Sequence, residues 1–354
     1  MPNYSKNEPA SDLPVEEEEA DIHEAYPLMD AVARHEGWDD PEMESYNVYA
    51  RISQPRQFNE EVMGSMPNPL EWSKEMENLF WHSVGEIIRD DPRTDWSENL
   101  SLGYPFEVIR EQVLAKGLAD FSQGHDHAEY GCLSADEKVL LYCFVNFKKH
   151  FFTALATFEA HRTAIEELFS TEARLLVIDI GCGPATACLA LADLLPGRVF
   201  DYLGIDSAAP MRSKAQTLWE ACRLNGLIGA GSTADFKESW TELSVVQTAS
   251  ANPILVILSY CCASNTLTLP ALQSMAHTIR QLIERRGNSP LVLAYMNSTN
   301  PLANIRYEVV KQNLGLDPEQ HPLAQRVIEY RKKRGAAGVS REEFVHELLH
   351  FKRS

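Results

Sequence analysis

Leu175-Leu176-Val177-Ile178-Asp179-Ile180-Gly181-Cys182-Gly183-Pro184-Ala185-Thr186 is the stretch that decides the fold. A short apolar run ends in Asp-x-Gly-x-Gly, and an Ala/Leu-rich helical pattern continues from Cys188 to Leu195. That order predicts a buried strand, a glycine turn and a helix. Without a Cβ, Gly181 and Gly183 let the backbone turn sharply and let a ligand touch the main chain. Open α/β sheets place their ligands at such a turn, at the carboxyl end of a strand. A nucleoside-type cofactor is therefore expected there.

Two acids refine the expectation. Asp179 lies inside the apolar strand, where a carboxylate is costly without a partner. Asp206 closes the next apolar run, Val199 to Asp206, and is placed to accept hydrogen bonds from ribose hydroxyls. Asp206 would also serve as an N-cap for the stretch beginning Ala208-Ala209-Pro210.

Hydrophobic-Asp-x-Gly-x-Gly-x-hydrophobic, here Ile178 to Ala185, resembles the first motif of the class I S-adenosylmethionine-dependent methyltransferases. The likeness spans roughly residues 166–300. It implies a Rossmann-like, mostly parallel α/β sheet with helices on both faces, preceded here by a helical N-terminal region. It implies S-adenosylmethionine as cofactor, held by Asp179, Gly181, Gly183 and Asp206. By the same resemblance Asp235 would meet the adenine amino group, and Phe236 would pack on the ring. The apolar run Pro253 to Tyr260 reads as a central strand buried on both faces, and its end, at Ser259, would border the methionine part. A fifth run, Leu291 to Met296, follows a helical stretch from Ala271 to Arg285.

The chain also departs from the superfamily pattern. Strand four ends Ser259-Tyr260-Cys261-Cys262-Ala263-Ser264-Asn265. That is neither the Asp/Asn-Pro-Pro-aromatic signature of many amino-nitrogen methylators nor the Pro-Cys pair of cytosine-C5 enzymes. The superfamily usually closes its sheet with an antiparallel hairpin. Here the C-terminal part reads mainly as helix, over Leu302 to Leu314 and Leu323 to Arg334, with a strand at Arg326–Tyr330 as the alternative. Competing functions are a non-catalytic methyltransferase-like module acting through a partner protein and an NAD(P)-dependent oxidoreductase. Asp179 and Thr186 disfavour the latter.

Outside this core the chain divides into three expected parts. The first 60 of 354 residues hold 15 acids and 4 bases and suit an acidic, partly disordered tail. Residues 61–165 carry helical spacing, as in Leu70, Trp72, Met76, Leu79, Phe80 and Val84. Ser134-Ala135-Asp136-Glu137 is a capping box opening a long aromatic helix. This region is expected to cover the cofactor, select a substrate or hold a protein partner. Lys148, Lys149 and His150 are candidates to approach the cofactor. Residues 166–354 form the cofactor domain with a helical C-terminus.

A net charge of −19 argues against a protein built to grip nucleic-acid phosphates. Seven cysteines in no framework, no signal pattern and no long apolar run fit a soluble cytoplasmic protein without membrane partners. The acceptor is read as a small or medium-sized molecule. Two patterns resemble metal sites. His346-Glu347-Leu348-Leu349-His350 matches H-E-x-x-H. With Ser340-Arg341-Glu342-Glu343 as a capping box, it reads as an amphipathic helix whose histidines lack a third ligand downstream. His125-Asp126-His127 with Cys132 reads as a glycine-flanked loop without C-x-x-C pairs. No metal is expected at either.

Overall fold

The computed structural model describes residues 69–115, 118–170, 173–245, 252–264, 267–285, 289–332 and 338–351. The acidic stretch 1–60 lies outside the described residues. Seven strands form the central sheet: β1 Leu175–Ile180, β2 Phe200–Ile205, β3 Thr233–Lys237, β4 Ile254–Ser259, β5 Leu291–Ser298, β6 Ala324–Tyr330 and β7 Ser340–Phe351. Across the sheet the order is β6-β7-β5-β4-β1-β2-β3. Strands β3, β2, β1, β4 and β5 run parallel, and β7 pairs antiparallel with both β5 and β6. The order turns back between β1 and β4, so the crevice between their carboxyl ends is the place where such sheets bind ligands.

Side chains alternate along each strand and so face two separate cores. Val177, Tyr202, Ile257, Ala294 and Phe344 face the first. There they meet helices α1 Lys74–Phe80, α2 Ala135–Ala160, α3 Thr186–Leu194 and α4 Ala209–Leu224. Ile178, Leu203, Val256, Leu293 and Val345 face the second, under α5 Leu269–Arg285 and α6 Pro301–Asn313. Burying a leucine or phenylalanine side chain contributes about 1.5–3 kcal/mol, so both faces stabilise the sheet. The early helices and one sheet face share a continuous apolar cluster. Leu70 extends the tie with backbone bonds to Glu329 and Arg331 at the β6 edge.

Helix α2 begins with both halves of the capping box, Ser134 and Glu137. Most of its aromatics are packing. Phe147 meets Phe80, and Phe151 and Phe152 meet Trp72.

The C-terminal reading needs correction. Leu323–Arg334 and 340–351 read mainly as helix but contain strands β6 and β7, and the alternative strand at Arg326–Tyr330 lies within β6. The hairpin that the superfamily likeness implies is present, with Tyr330 opposite Ser340 and Ala324 opposite His346. Phe344, Leu348 and Phe351 fit a helical stripe, but sheet partners on both sides decide otherwise. The His125–Cys132 loop is also a ribbon, His125–His127 against Gly131–Leu133, turned at Gly131 with φ +85°.

Candidate active site

The glycine turn stands at the carboxyl end of β1. Gly181, Gly183 and Ala185 all have positive φ, at +71°, +50° and +60°. The amides of Gly181 and Cys182 both donate to the Ile205 carbonyl at the end of β2, at 2.8 and 2.9 Å. Gly181 is constrained by packing, because a Cβ there would come within 2.4 Å of the Cys261 Cβ. Gly183 is different: a Cβ there would meet nothing within 4 Å. The first glycine makes room for the protein, and the second leaves room above the turn.

Asp206, one residue beyond β2, braces the turn. One carboxylate oxygen accepts from the Gly183 amide at 3.0 Å, the other from Ala208 at 2.9 Å. The second bond ends on the amide of Ala208, which is itself the N-cap of α4, so Asp206 is not the N-cap that the sequence suggested and instead holds the segment leading into the helix. Burial raises the Asp206 carboxyl above the usual range, while the two amides oppose that shift.

Asp179 is 1% exposed in β1. One oxygen accepts from the Tyr202 hydroxyl at 3.1 Å, and the other has no partner. Burial pushes its pKa up to about 7, against the Tyr202 bond. The Thr186 hydroxyl, at the start of α3, is likewise buried and without a partner. Buried polar groups are normally satisfied, so two orphans beside one turn suit a ligand that brings the missing groups.

A small cavity of about 20 Å³ lies over the turn, lined by Gly181, Cys182, Gly183, Pro184, Thr186, Ala187, Ser259, Tyr142 and His150. Room of that size fits about one water. Tyr142 and His150 roof it from α2. The Tyr142 hydroxyl lies 3.0 Å from His150 Nδ1, and the imidazole stacks on Tyr260 at 3.9 Å. Tyr260 follows β4 with φ +57°, a conformation unusual for a bulky side chain. Burial pulls the His150 pKa down to about 3, so the ring is neutral.

Of the residues read from sequence, Gly181, Gly183, Ser259 and His150 meet at this cavity. Asp206 joins through Gly183, and Asp179 supports the strand beneath. The structure does not bring Asp235 and Phe236 there. Asp235 is exposed and pairs with Lys237 at 3.0 Å. Phe236 points the other way and contacts Tyr202 edge-on at 5.7 Å. Adjacent residues of one strand face opposite sides, so the pair cannot hold one ring together. Lys148 and Lys149 also turn away, to the Lys332 carbonyl and to Glu342. Tyr142 and Thr186 were not read as site residues. The i, i+8 spacing of Tyr142 and His150 on one helix was the available signal.

The metal-like patterns resolve into other roles. Four residues along a strand separate His346 from His350 by roughly 13 Å, and Glu347 faces the opposite side. His346 is buried, and His350 is exposed. In the ribbon, His127 Nδ1 accepts from the Glu129 and Tyr130 amides at 3.2 and 3.4 Å. That pairing leaves the ring proton on Nε2, where a metal would need a lone pair.

The sheet order, the glycine turn and the terminal hairpin together give this chain the class I methyltransferase fold. No protein-family model and no curated protein matches the sequence. Similar solved structures include a precorrin-6y C5,15-methyltransferase from Geobacter metallireducens. It is 11% identical with a TM-score of 0.33, over 54% of this chain and 88% of that one. A putative O-methyltransferase from Klebsiella pneumoniae is 15% identical with a TM-score of 0.33, over 79% and 100%. Magnesium protoporphyrin IX methyltransferase from Synechocystis, with bound SAM, is 14% identical with a TM-score of 0.32, over 71% and 93%. At these scores function is read from the chain's own residues.

Proposed function

We propose that the chain is an S-adenosylmethionine-dependent methyltransferase. The observation that carries this reading is the turn itself. Gly183 opens onto free space, Asp206 braces its amide, and two buried polar atoms beside it lack partners. The residues fit the cofactor. Asp206 offers acceptor positions to ribose hydroxyls, and the free oxygen of Asp179 suits an ammonium group. Gly183 supplies close backbone approach, and Gly181 and Ser259 line the cavity beside it.

Bound there, the cofactor would supply a methyl group already activated on a sulfonium. The chain's task is then alignment and exclusion of water. Tyr142, His150 and Tyr260 form an uncharged aromatic roof suited to that task, and rings also favour a neighbouring cation. A general base is needed only where the acceptor must lose a proton. The apolar helical region and the acidity of the chain favour a small or medium-sized acceptor.

Calorimetry of the full chain with S-adenosylmethionine, and separately with NADH and NADPH, tests the reading. Binding of the sulfonium alone is the expected result. Binding of a dinucleotide alone would replace it with an oxidoreductase. Cofactor binding without turnover on any acceptor would point to a binding module.

A further inference from the structure

A second cleft, of about 490 Å³, opens at the other end of α3 from the glycine turn. That volume lies within the range of small-molecule sites, about 300–1,000 Å³. Leu155 of α2, Leu194 at the end of α3, and Leu70 and Trp72 ahead of α1 give it apolar walls. Asp193, in the last turn of α3, lines it too. Thr186 opens the same helix at the glycine turn, so roughly 10 Å of helix axis separates the two places.

The charges in this cleft are unbalanced. Glu71, Glu159 and Asp193 supply carboxylates against one guanidinium, Arg162. Arg162 is held by Glu159 at 2.6 Å and Glu166 at 3.4 Å, and Glu71 pairs with Arg331 at 2.9 Å. Asp193 is different. One oxygen accepts from the Ser73 amide at 3.1 Å, the other from the Ser73 hydroxyl, and no cation among the described residues pairs with it. Burial raises its carboxyl, the Ser73 bonds oppose that shift, and Glu75 adds to it. A part-buried acid, fixed in place and without a counter-ion, favours a ligand that brings the positive charge. An anion would be repelled there. A compact ammonium suits the acid better than a planar guanidinium, because Ser73 already bonds both oxygens and leaves no free bidentate edge. We propose that this cleft binds a small organic cation, a primary amine whose ammonium meets Asp193 and whose apolar body lies among Leu155, Leu194 and Trp72. The site is separate from the glycine turn and does not rest on the methyltransferase reading.

The test compares two probes on the full chain: 2-phenylethylamine, and 2-phenylethanol, which has the same body without the charge. Calorimetry reads affinity, and the indole N–H resonance of Trp72 reads the place of binding. The amine should bind and shift that resonance, and the alcohol should bind at least about tenfold more weakly. Asp193→Asn keeps the shape and removes the charge, so it should weaken the amine by about tenfold to a hundredfold, the range for a hydrogen bond to a charged group. Glu159→Gln lies on the partly exposed wall and leaves the Ser73 bonds intact, so it should fold as the parent does and lose a smaller factor, about twofold to fivefold. Gly183→Val, which blocks the turn, should bind the amine as the parent does. Equal affinity for amine and alcohol, an unmoved Trp72 resonance, or parental affinity in both Asp193→Asn and Glu159→Gln would overturn the proposal. Loss of the amine in Gly183→Val would place it at the turn instead and overturn the proposal as well. Failure of the chain to bind S-adenosylmethionine would count against the methyltransferase reading alone.

Discussion

Asp206 already holds two backbone amides before any ligand arrives. Asp206→Ala should therefore lower stability by about 1–3 kcal/mol and weaken S-adenosylmethionine by about tenfold to a hundredfold. Urea unfolding reads the first effect and calorimetry the second; a folded variant with parental affinity would leave Asp206 as a turn former only. The two glycines should separate stability from binding. Gly181→Ala drives a methyl group into Cys261, so it should lose stability. At Gly183 an added Cβ meets nothing within 4 Å, and the left-handed backbone costs Gly183→Val roughly 1–2 kcal/mol. It should keep the fold and lose the ligand-induced rise in melting temperature that the parent shows. A full rise in that variant would mean that no ligand approaches the turn there. Glycine spacing and strand-end acids were legible in the sequence because backbone conformation and close approach constrain residue type directly. Of the roof, His150 was legible from its place just upstream of the first strand, and Tyr142 was not: it belongs to a helix whose other aromatics are ordinary core, and only the packing of α2 over the turn distinguishes it.

At the scale of elements, the parallel strands were legible because each is buried on both faces and reads as an apolar run. Strand β7 was misread for a physical reason. Its residues 344–347 are all buried, which erases the alternation expected of a strand, while a capping-box pattern and i, i+4, i+7 apolar spacing imitate a helix. Sheet pairing on both sides outweighs that local preference. The same strand carries the carboxylate of a buried network with α6. Glu347 accepts from Tyr307 at 2.8 Å and pairs with Lys311 at 3.2 Å, and Tyr307 stacks on Tyr295 at 3.6 Å. Removing one partner of such a pair leaves an uncompensated buried charge. Lys311→Met should therefore cost about 3–5 kcal/mol in urea unfolding. The double variant Lys311→Met with Glu347→Leu should recover much of that, because well-packed apolar replacements of a buried pair are often neutral. Additive losses in the double variant would show that the two residues act independently.

Over the whole molecule, several buried acids share one direction of shift. Asp179, Asp193, Asp206 and Glu347 all have carboxyl groups raised by burial. A carboxyl whose folded pKa exceeds its unfolded value holds its proton more tightly when folded. Its contribution to stability is complete below the unfolded pKa and is lost as pH rises through the folded one. For Asp179 the window runs from about 4, the unfolded carboxylate value, to about 7. At 1.36 kcal/mol per pKa unit, that contribution is on the order of 2–4 kcal/mol. Asparagine mimics the protonated carboxyl and does not titrate, so Asp179→Asn should remove this part of the pH dependence. The stability of the parent relative to that variant should fall by about that amount between pH 5 and pH 8, as read from urea unfolding. An ammonium group at Asp179 would favour the charged form, so S-adenosylmethionine should stabilise the parent more at pH 8 than at pH 5. A pH-independent gap between parent and variant would show that Asp179 does not titrate in this window, and an equal ligand effect at both values would separate its carboxylate from the bound ammonium.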